Sequence, residues 1–161
     1  MAELICNTSV IQSLHQLGLL HLLPVLASPV CVPAAVEAEL AAGRASGADV
    51  PEPAAFAWAR KRTAESTPSL PREHALGAGE RAVLWLAMES ATGIAVLDDR
   101  DARRVARRLG IPLTGTLGLL VDAKQRGLIP AVAPLLNELG RRGFHMSGRI
   151  REAVLKRAGE E

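Results

Sequence analysis

The sequence predicts an α/β fold in which short parallel strands alternate with helices. Its length of 161 residues suits one domain with its own apolar core. Several short, continuous apolar segments are separated by stretches with helical spacing. Apolar segments of this kind are typical of strands that are buried on both faces of a parallel sheet. We therefore expect a single domain over residues 1–161 with a parallel sheet at its centre.

The N-terminal part of the chain contains two of the predicted strands. Residues 4–6 form the first, and Asn7 and its neighbours are residue types that begin helices. A leucine-rich helical segment follows over residues 10–26, with interruptions at Gly and Pro. Residues 30–32 form the second predicted strand. Pro33 then suits the first turn of a helix over residues 34–42.

Residues 43–75 are predicted to be an insertion within the domain. Residues 43–53 are rich in Gly, Pro and polar side chains, which is typical of a loop. We expect a short helix over residues 54–62, followed by a second loop that contains Pro68 and Pro71.

The C-terminal half contains the clearest helical pattern. Residues 80–90 are apolar on most helical faces, which predicts a buried helix, and residues 94–97 form the third apolar strand. In residues 99–109, apolar side chains recur at helical spacing while the arginines share the opposite face, so this helix should be amphipathic. The remaining predicted elements are a strand over 111–113 and helices over 114–126, 130–140 and 147–158.

Composition excludes several classes of function. The net charge is only +2, which argues against a strongly basic arm that holds nucleic acid by bulk charge. The charge is uneven, however: residues 1–80 carry 5 basic and 8 acidic side chains, and residues 81–161 carry 14 and 9. Two Phe, two Trp and no Tyr argue against a stacking platform for single strands. Any bound nucleic acid should therefore be held through its phosphates.

Two further classes of feature are absent from the sequence pattern. Cys6 and Cys31 lie in apolar segments, and no Cys/His spacing suggests a zinc site. No apolar run reaches the roughly 18 residues of a membrane span, and the N-terminus lacks the basic region of a signal peptide. We therefore expect a cytoplasmic protein without a membrane partner.

Polar side chains follow each predicted strand, where sites form in open parallel sheets. Glu37 and Glu39 lie in the helix after the second strand, about 200° apart around it, and geometry alone does not choose between them. Clustered carboxylates repel one another unless a cation neutralises them, and oxygen ligands favour Mg²⁺ or Mn²⁺. The other polar residues at strand ends are Asn7, Thr8, Ser9, Asp98, Asp99, Asp101, Thr114 and Thr116, and Glu80 opens the helix before the third strand.

Each of these residues also has a purely structural interpretation. Glu80 and Asp101 lie in first helical turns, where the helix dipole favours a negative charge. Asp99 is a residue type that caps helices, and Thr116 can begin one. The pattern therefore leaves open whether these side chains bind a metal or only stabilise helix ends.

Five segments, taken in order, resemble the PIN-domain nucleases, especially a bacterial and archaeal branch of PIN-like proteins related to VapC-type toxins. The resemblance covers most of residues 4–127 and implies a three-layer α/β/α sandwich with a central parallel sheet. No single segment is specific, but their ordered set is. The segments are Ile5-Cys6-Asn7-Thr8-Ser9, residues 32–40, Leu76-Gly77-Ala78-Gly79-Glu80, residues 96–103 and Gly115-Thr116-Leu117-Gly118.

The resemblance implies a site for a divalent cation, Mg²⁺ or Mn²⁺. Asn7 is a departure, because the PIN pattern usually has an aspartate there, and the amide brings no charge. By motif, Glu39, Glu80 and Asp99 are the implied catalytic residues. The implied metal ligands are Asn7, Glu39, Glu80, Asp98, Asp99 and Asp101, and the implied substrate-binding residues are Thr8, Ser9, Arg100, Arg103, Arg104 and Thr116.

The activity implied by this resemblance is metal-dependent hydrolysis of single-stranded RNA. Resemblance also implies a toxin that is neutralised by a small antitoxin protein, and a homodimer. The alternative is a weakly active or inactive PIN-like module that binds RNA or protein. A phosphatase-like or phosphate-receiver domain would also have paired acids such as Asp98 and Asp99. A receiver-type lysine near a later strand end is missing, since Lys124 lies late in its helix.

Overall fold

The computed structural model describes residues 2–161 and contains a five-stranded, all-parallel sheet. Strands β1 and β2 pair with Ile5 opposite Cys31, and β1 and β4 pair with Ile5 opposite Ala95. The spatial order of the strands is β3-β2-β1-β4-β5. Their bounds are β1 Glu3–Cys6, β2 Val30–Pro33, β3 Ala59–Arg62, β4 Gly93–Val96 and β5 Leu113–Thr114.

Helices cover the sheet in a three-layer α/β/α arrangement, as predicted. Helices α1 and α2 pack against α6, which packs against α8, while α4 packs against β1, β2, β4 and α5. Helix α3 contacts both α1 and α4. The helices are α1 Thr8–Gln16, α2 Leu23–Leu26, α3 Ala34–Ala45, α4 Ala78–Glu89, α5 Arg100–Arg108, α6 Thr116–Gln125, α7 Ala133–Arg141 and α8 Gly148–Arg157.

The sheet forms the centre of the apolar core. Side chains of β1, β2 and β4 are buried almost completely, in agreement with their continuous apolar sequence. Helix α5 buries Ala102, Val105 and Ala106, so the predicted amphipathic pattern is confirmed. Cys6 and Cys31 are free and buried among these residues. Burial raises the pKa of the Cys6 thiol, and it raises that of Cys31 to about 12.

The predicted helix over residues 54–62 is wrong, because the end of this stretch is the strand β3. Ala59–Arg62 lies at the sheet edge with Arg60 and Lys61 exposed. Arg62 donates a hydrogen bond to the buried carboxylate of Glu3 in β1. An edge strand tolerates charged side chains, which also discourage pairing with another chain. The segment therefore lacks the apolar signal that identified the other strands.

The topology places two strand ends side by side where the strand order reverses. The chain moves from β1 outward to β2 and β3, then returns to β4 on the other side of β1. The backbone N–H of Asn7, just after β1, donates a hydrogen bond to the carbonyl of Val96 at the end of β4, at 3.1 Å. Ligand sites of open α/β sheets lie at such reversals, beyond the carboxyl ends of the strands.

Hydropathy alone identifies few membrane-span candidates in the described chain. Within residues 2–161 no single helix is long and apolar enough to cross a membrane. Thr8–Gln16 and Leu20–Leu26 meet the length and composition test only when taken together, across a bend of 117°.

Candidate functional site

Asn7 begins α1 but does not cap it through its side chain. Its backbone is extended, as in other helix-capping residues, yet its side chain makes no capping hydrogen bond. The side chain is turned instead toward α4, where Nδ2 donates to Oε2 of Glu80 at 3.3 Å. Asn7 is 3% exposed, and its Oδ1 has no hydrogen-bond partner within residues 2–161. A buried acceptor without a partner is rare, because its desolvation is not compensated.

The two glutamates of α3 have different surroundings, which answers the question that spacing left open. Oε1 of Glu39 accepts a hydrogen bond from the hydroxyl of Thr8, the first residue of α1. The carboxylate of Glu37 lies 3.9 Å from Nζ of Lys61 in β3. Only Glu39 therefore joins the polar side chains that follow β1.

Glu80 and Gly79 complete this group from the start of α4. Oε1 of Glu80 accepts from the backbone N–H of Gly77 at 3.1 Å, a bond that closes the helix N-terminus. A Cβ atom on Gly79 would stand 2.7 Å from Oδ1 of Asn7 and closer still to Oε1 of Glu39. The missing side chain of Gly79 thus leaves room for two oxygens to converge.

We call Asn7, Thr8, Glu39 and Glu80 the Asn7 cluster. It presents two carboxylates and one buried amide oxygen, all of them hard oxygen ligands of the kind that Mg²⁺ and Mn²⁺ take. Nowhere in the described part of the chain do three His, Cys, Asp or Glu side chains meet at metal-binding distance. The unpartnered Oδ1 and the two carboxylates nevertheless fit a cation, with fewer charges than three carboxylates would supply.

A second polar group lies at the ends of β4 and β5. Oδ1 of Asp98 accepts from the backbone N–H of Thr116 at 2.8 Å, and Oδ2 accepts from the Thr116 hydroxyl at 2.6 Å. Arg103 donates to the carbonyl of Leu97 at 2.8 Å. A Cβ on Gly115 would stand 2.7 Å from the Asp98 carboxylate and 2.9 Å from the Arg103 guanidinium. We call Asp98, Arg103, Gly115 and Thr116 the Asp98 junction, since it ties β4 to α5 and α6.

Burial dominates the electrostatics of this junction. It raises the pKa of the Asp98 carboxyl above its ordinary value, although the two bonds from Thr116 and the charge of Arg103 act in the opposite direction. Burial likewise lowers the pKa of Arg103, with a smaller effect in the same direction from Arg107 one turn further along α5. The junction therefore holds an anion and a cation that are both partly removed from water.

The other predicted site residues lie outside both groups. Asp99 caps α5, with Oδ2 accepting from the backbone N–H of Ala102 at 2.9 Å. Asp101 pairs with Arg72 of the loop before α4, at 3.3 Å. The three remaining side chains are exposed and make no side-chain hydrogen bond within the described residues; they are Ser9, Arg100 and Arg104.

The structure thus places seven of the predicted metal or substrate residues in these two groups, four in the Asn7 cluster and three in the Asp98 junction, and it adds one that the sequence reasoning missed. The resemblance includes Gly79 in the segment Leu76-Gly77-Ala78-Gly79-Glu80 but gives it no role. Its membership of that segment was the one available signal, because the packing of Asn7 and Glu39 against Gly79 depends on elements that are distant in sequence.

A family model described as a PIN domain matches residues 3–160. A search of curated proteins finds no match to the sequence. The family match spans nearly the whole chain, and the parallel sheet with its acidic carboxyl edge agrees with it. The chain therefore belongs to the PIN-domain family.

Proposed function

We propose that this protein is a metal-dependent ribonuclease of the PIN type, which hydrolyses RNA phosphodiester bonds. Membership of the family indicates a nuclease-like function, and PIN domains generally depend on a divalent metal. The observation that carries the proposal is Oδ1 of Asn7, a buried acceptor without a partner, beside the carboxylate of Glu39. A cation would satisfy that acceptor and neutralise the neighbouring charge.

The residues of the Asn7 cluster have distinct roles in this proposal. Glu39 and Glu80 bring the negative charge that holds Mg²⁺ or Mn²⁺, and Asn7 adds a neutral oxygen. A cation held there would supply Lewis-acid chemistry: it would lower the pKa of a water molecule and neutralise charge on the phosphate. Thr8 fixes the orientation of Glu39 through its hydroxyl. Only two carboxylates contribute charge, so we expect weak metal binding and a preference for Mn²⁺.

The acids after β4 are all engaged in internal bonds. Asp98 stands at the end of the strand next to β1 and is partly shielded from water, but both of its oxygens accept hydrogen bonds from Thr116. The carboxylate of Asp99 is used in capping α5, and that of Asp101 pairs with Arg72. Their predicted roles as ligands would require these bonds to open. The exposed Ser9, Arg100 and Arg104 remain proposed contacts to the RNA strand.

A second candidate function is a PIN-like module that binds RNA or protein without cutting. The internal hydrogen bonds of the acidic residues favour it. Glu80 accepts from Asn7 and Gly77, Glu39 accepts from Thr8, and both oxygens of Asp98 accept from Thr116. Carboxylates with such partners are stable without a cation.

Titration with Mn²⁺ in a calorimeter, followed by cleavage of a mixed-sequence RNA, separates the two functions. We expect the native protein to bind Mn²⁺ and cut RNA, Glu39→Gln to lose both, and Glu37→Gln to keep both. Glu37 is a matched control because it lies on the same helix but faces Lys61. Absence of metal binding in the native protein and also in Asn7→Asp would refute the nuclease and leave the binding module.

The resemblance to VapC-type toxins supports three wider proposals. We propose that the protein is the toxin of a toxin–antitoxin pair, that a small antitoxin protein neutralises it, and that it acts as a homodimer. Its substrate in this proposal is single-stranded RNA, and its compartment is the cytoplasm. Arrest of growth on expression, relieved by co-expression of an adjacent small reading frame, would support the pair. Sedimentation equilibrium of the purified protein tests the dimer.

A further inference from the structure

A cleft of about 840 Å³ opens between α8, α6 and the β4–β5 side of the sheet. It begins at Asp98 and Gly115 of the Asp98 junction and is bounded on the far side by the segment before α8. Its volume falls within the range of small-ligand sites. The cleft is continuous with the Asp98 junction, and no residue of the Asn7 cluster lines it.

Positive charge is in excess along this cleft. Arg103 and Arg107 face it from successive turns of α5, and Arg157 faces it from α8. Of the two acidic residues in the lining, Asp98 accepts from Thr116, and Asp122 pairs with Arg126 at 3.0 Å. No carboxylate in the described chain lies in ion-pair contact with Arg107 or Arg157. Such guanidinium groups are well suited to bind phosphate oxygens.

The lining of the cleft also contains apolar side chains and one aromatic ring. Phe144 is half-buried in the lining, beside His145, and Ile150 of α8 is 48% exposed there. The backbone N–H of Phe144 donates to the carbonyl of Leu139 at 2.9 Å, which holds the backbone of Phe144 against the C-terminal turn of α7. A cleft lined by both an aromatic ring and guanidinium groups suits a ligand that has flat apolar faces and negative charges.

We propose that this cleft binds the part of the RNA strand that flanks the bond to be cut. Its phosphates would pair with Arg107 and Arg157, and one base would stack on Phe144. This inference rests on the proposed ribonuclease function, since it assigns the cleft to the same substrate. An acidic, amphipathic peptide would also match the charge and the apolar side chains of the lining, but RNA makes use of the unpaired guanidinium groups and the aromatic ring together. The sequence predicted phosphate contacts without stacking, and the cleft adds one stacking position.

Binding of a short fluorescein-labelled RNA, measured by anisotropy in EDTA, tests the cleft without cleavage. We expect Arg107→Ala and Arg157→Ala each to weaken binding by about tenfold and to lower the slope of log K against log salt by about one. Arg108→Ala and Arg149→Ala are matched controls from the same two helices, and neither residue lines the cleft. Both controls should bind RNA like the native protein.

The ring is tested separately with two variants of Phe144. Phe144→Leu keeps an apolar side chain in the lining and should weaken RNA binding by about fivefold or more, because stacking is lost. Phe144→Trp should bind RNA like the native protein, because an indole ring can also stack on a base. If Phe144→Leu fails to fold, as judged by circular dichroism, the two arginine variants still decide the proposal.

The outcomes separate this inference from the ribonuclease proposal. RNA binding that depends on Arg107 and Arg157 supports the cleft even if no RNA is cut. Cleavage with equal affinity in the arginine variants and their controls overturns the cleft and leaves the ribonuclease intact. Binding of a labelled acidic amphipathic peptide that depends on Arg107, with no RNA binding, assigns the cleft to a protein partner and also overturns the proposal.

Discussion

The Asn7 cluster and the Asp98 junction lie on neighbouring strand ends, yet their polar atoms are used differently. In the cluster, Oδ1 of Asn7 has no hydrogen-bond partner within the described residues, and it packs against Gly79, where a Cβ atom would stand 2.7 Å from it. In the junction, both oxygens of Asp98 accept short hydrogen bonds from Thr116. The cluster therefore has a buried oxygen that can still accept a bond, whereas the bonds of Asp98 hold β4, α5 and α6 together.

This difference shows that residue type alone does not identify a site. Both groups contain acidic residues at the carboxyl edge of a parallel sheet, where the topology favours sites. An unsatisfied buried acceptor points to a missing ligand, because its desolvation is otherwise uncompensated. A satisfied carboxylate such as Asp98 points first to architecture. Four substitutions test this division, beginning with the one of largest expected effect.

Gly79→Ala should abolish the Asn7 cluster while the fold persists. The added Cβ would collide with Oδ1 of Asn7 and Oε1 of Glu39. Both atoms stand at the ends of side chains, so these side chains can turn away without a shift of the backbone. We expect RNA cleavage to fall by at least about a hundredfold, since small displacements of catalytic groups have effects of this size. Cleavage rate and Mn²⁺ affinity are the measurements.

The control for this substitution is Gly140→Ala in α7, where an added Cβ meets no atom within 4 Å. It should leave cleavage unchanged and stabilise the helix by about 0.5–1 kcal/mol. Full activity in Gly79→Ala would contradict our assignment of the cluster as the metal site.

The sequence predicted the core of the fold because the core strands are apolar on both faces. β1, β2 and β4 are continuous apolar segments and α5 has an apolar stripe, because these elements are buried, and burial requires apolar side chains at those positions. The sequence of β3 has no such pattern. Its strand conformation depends on pairing with β2 and on the ion pair between Arg62 and Glu3, which are distant in sequence. The strand propensities of single residues do not include contacts between residues so far apart in sequence.

The candidate site was predictable as a set of residues but not as an arrangement. Strand-end reasoning found Asn7, Glu80 and Asp98, and the family resemblance chose Glu39 over Glu37. The direction of each side chain was not predictable, because it depends on partners such as Thr8 and Lys61 from other elements. Spacing could not distinguish Asp98, which faces Thr116, from Asp99, which caps a helix.

Asn7→Asp should increase the affinity of the cluster for Mn²⁺. A further negative charge about 4 Å from a cation contributes roughly 1–4 kcal/mol at protein surfaces, so we expect at least about a fivefold gain in affinity. Without metal the variant should be less stable than the native protein, because three carboxylates then repel one another. Calorimetry and urea unfolding, each with and without Mn²⁺, measure the two effects. Equal affinity in both proteins would show that the cation does not contact residue 7.

Thr116→Val should separate the junction from the cluster by its effect on stability. Thr116 is fully buried, and losing its hydroxyl leaves Oδ2 of Asp98 without that partner. We expect a loss of about 1–3 kcal/mol in the free energy of unfolding. Thr8→Val removes a comparable hydroxyl from Glu39 at a half-buried position and should affect Mn²⁺ binding more than stability. The opposite ranking of the two variants would contradict the division of roles.

Asp98→Asn should change how stability depends on pH, with the smallest effect of the four. Burial raises the folded-state pKa of Asp98 above its ordinary value of 3.8, so between these two pKa values the folded protein binds the extra proton. Stability from protonated Asp98 is therefore complete below 3.8 and is lost as the pH rises through the folded-state pKa. Asparagine has no such loss. The free energy of unfolding of Asp98→Asn, minus that of the native protein, should thus increase from acid to neutral pH, as urea unfolding would measure. Asp99→Asn, at the exposed cap of α5, is the matched control, and an equal pH dependence in both variants would mean that burial does not distinguish Asp98 from its neighbour.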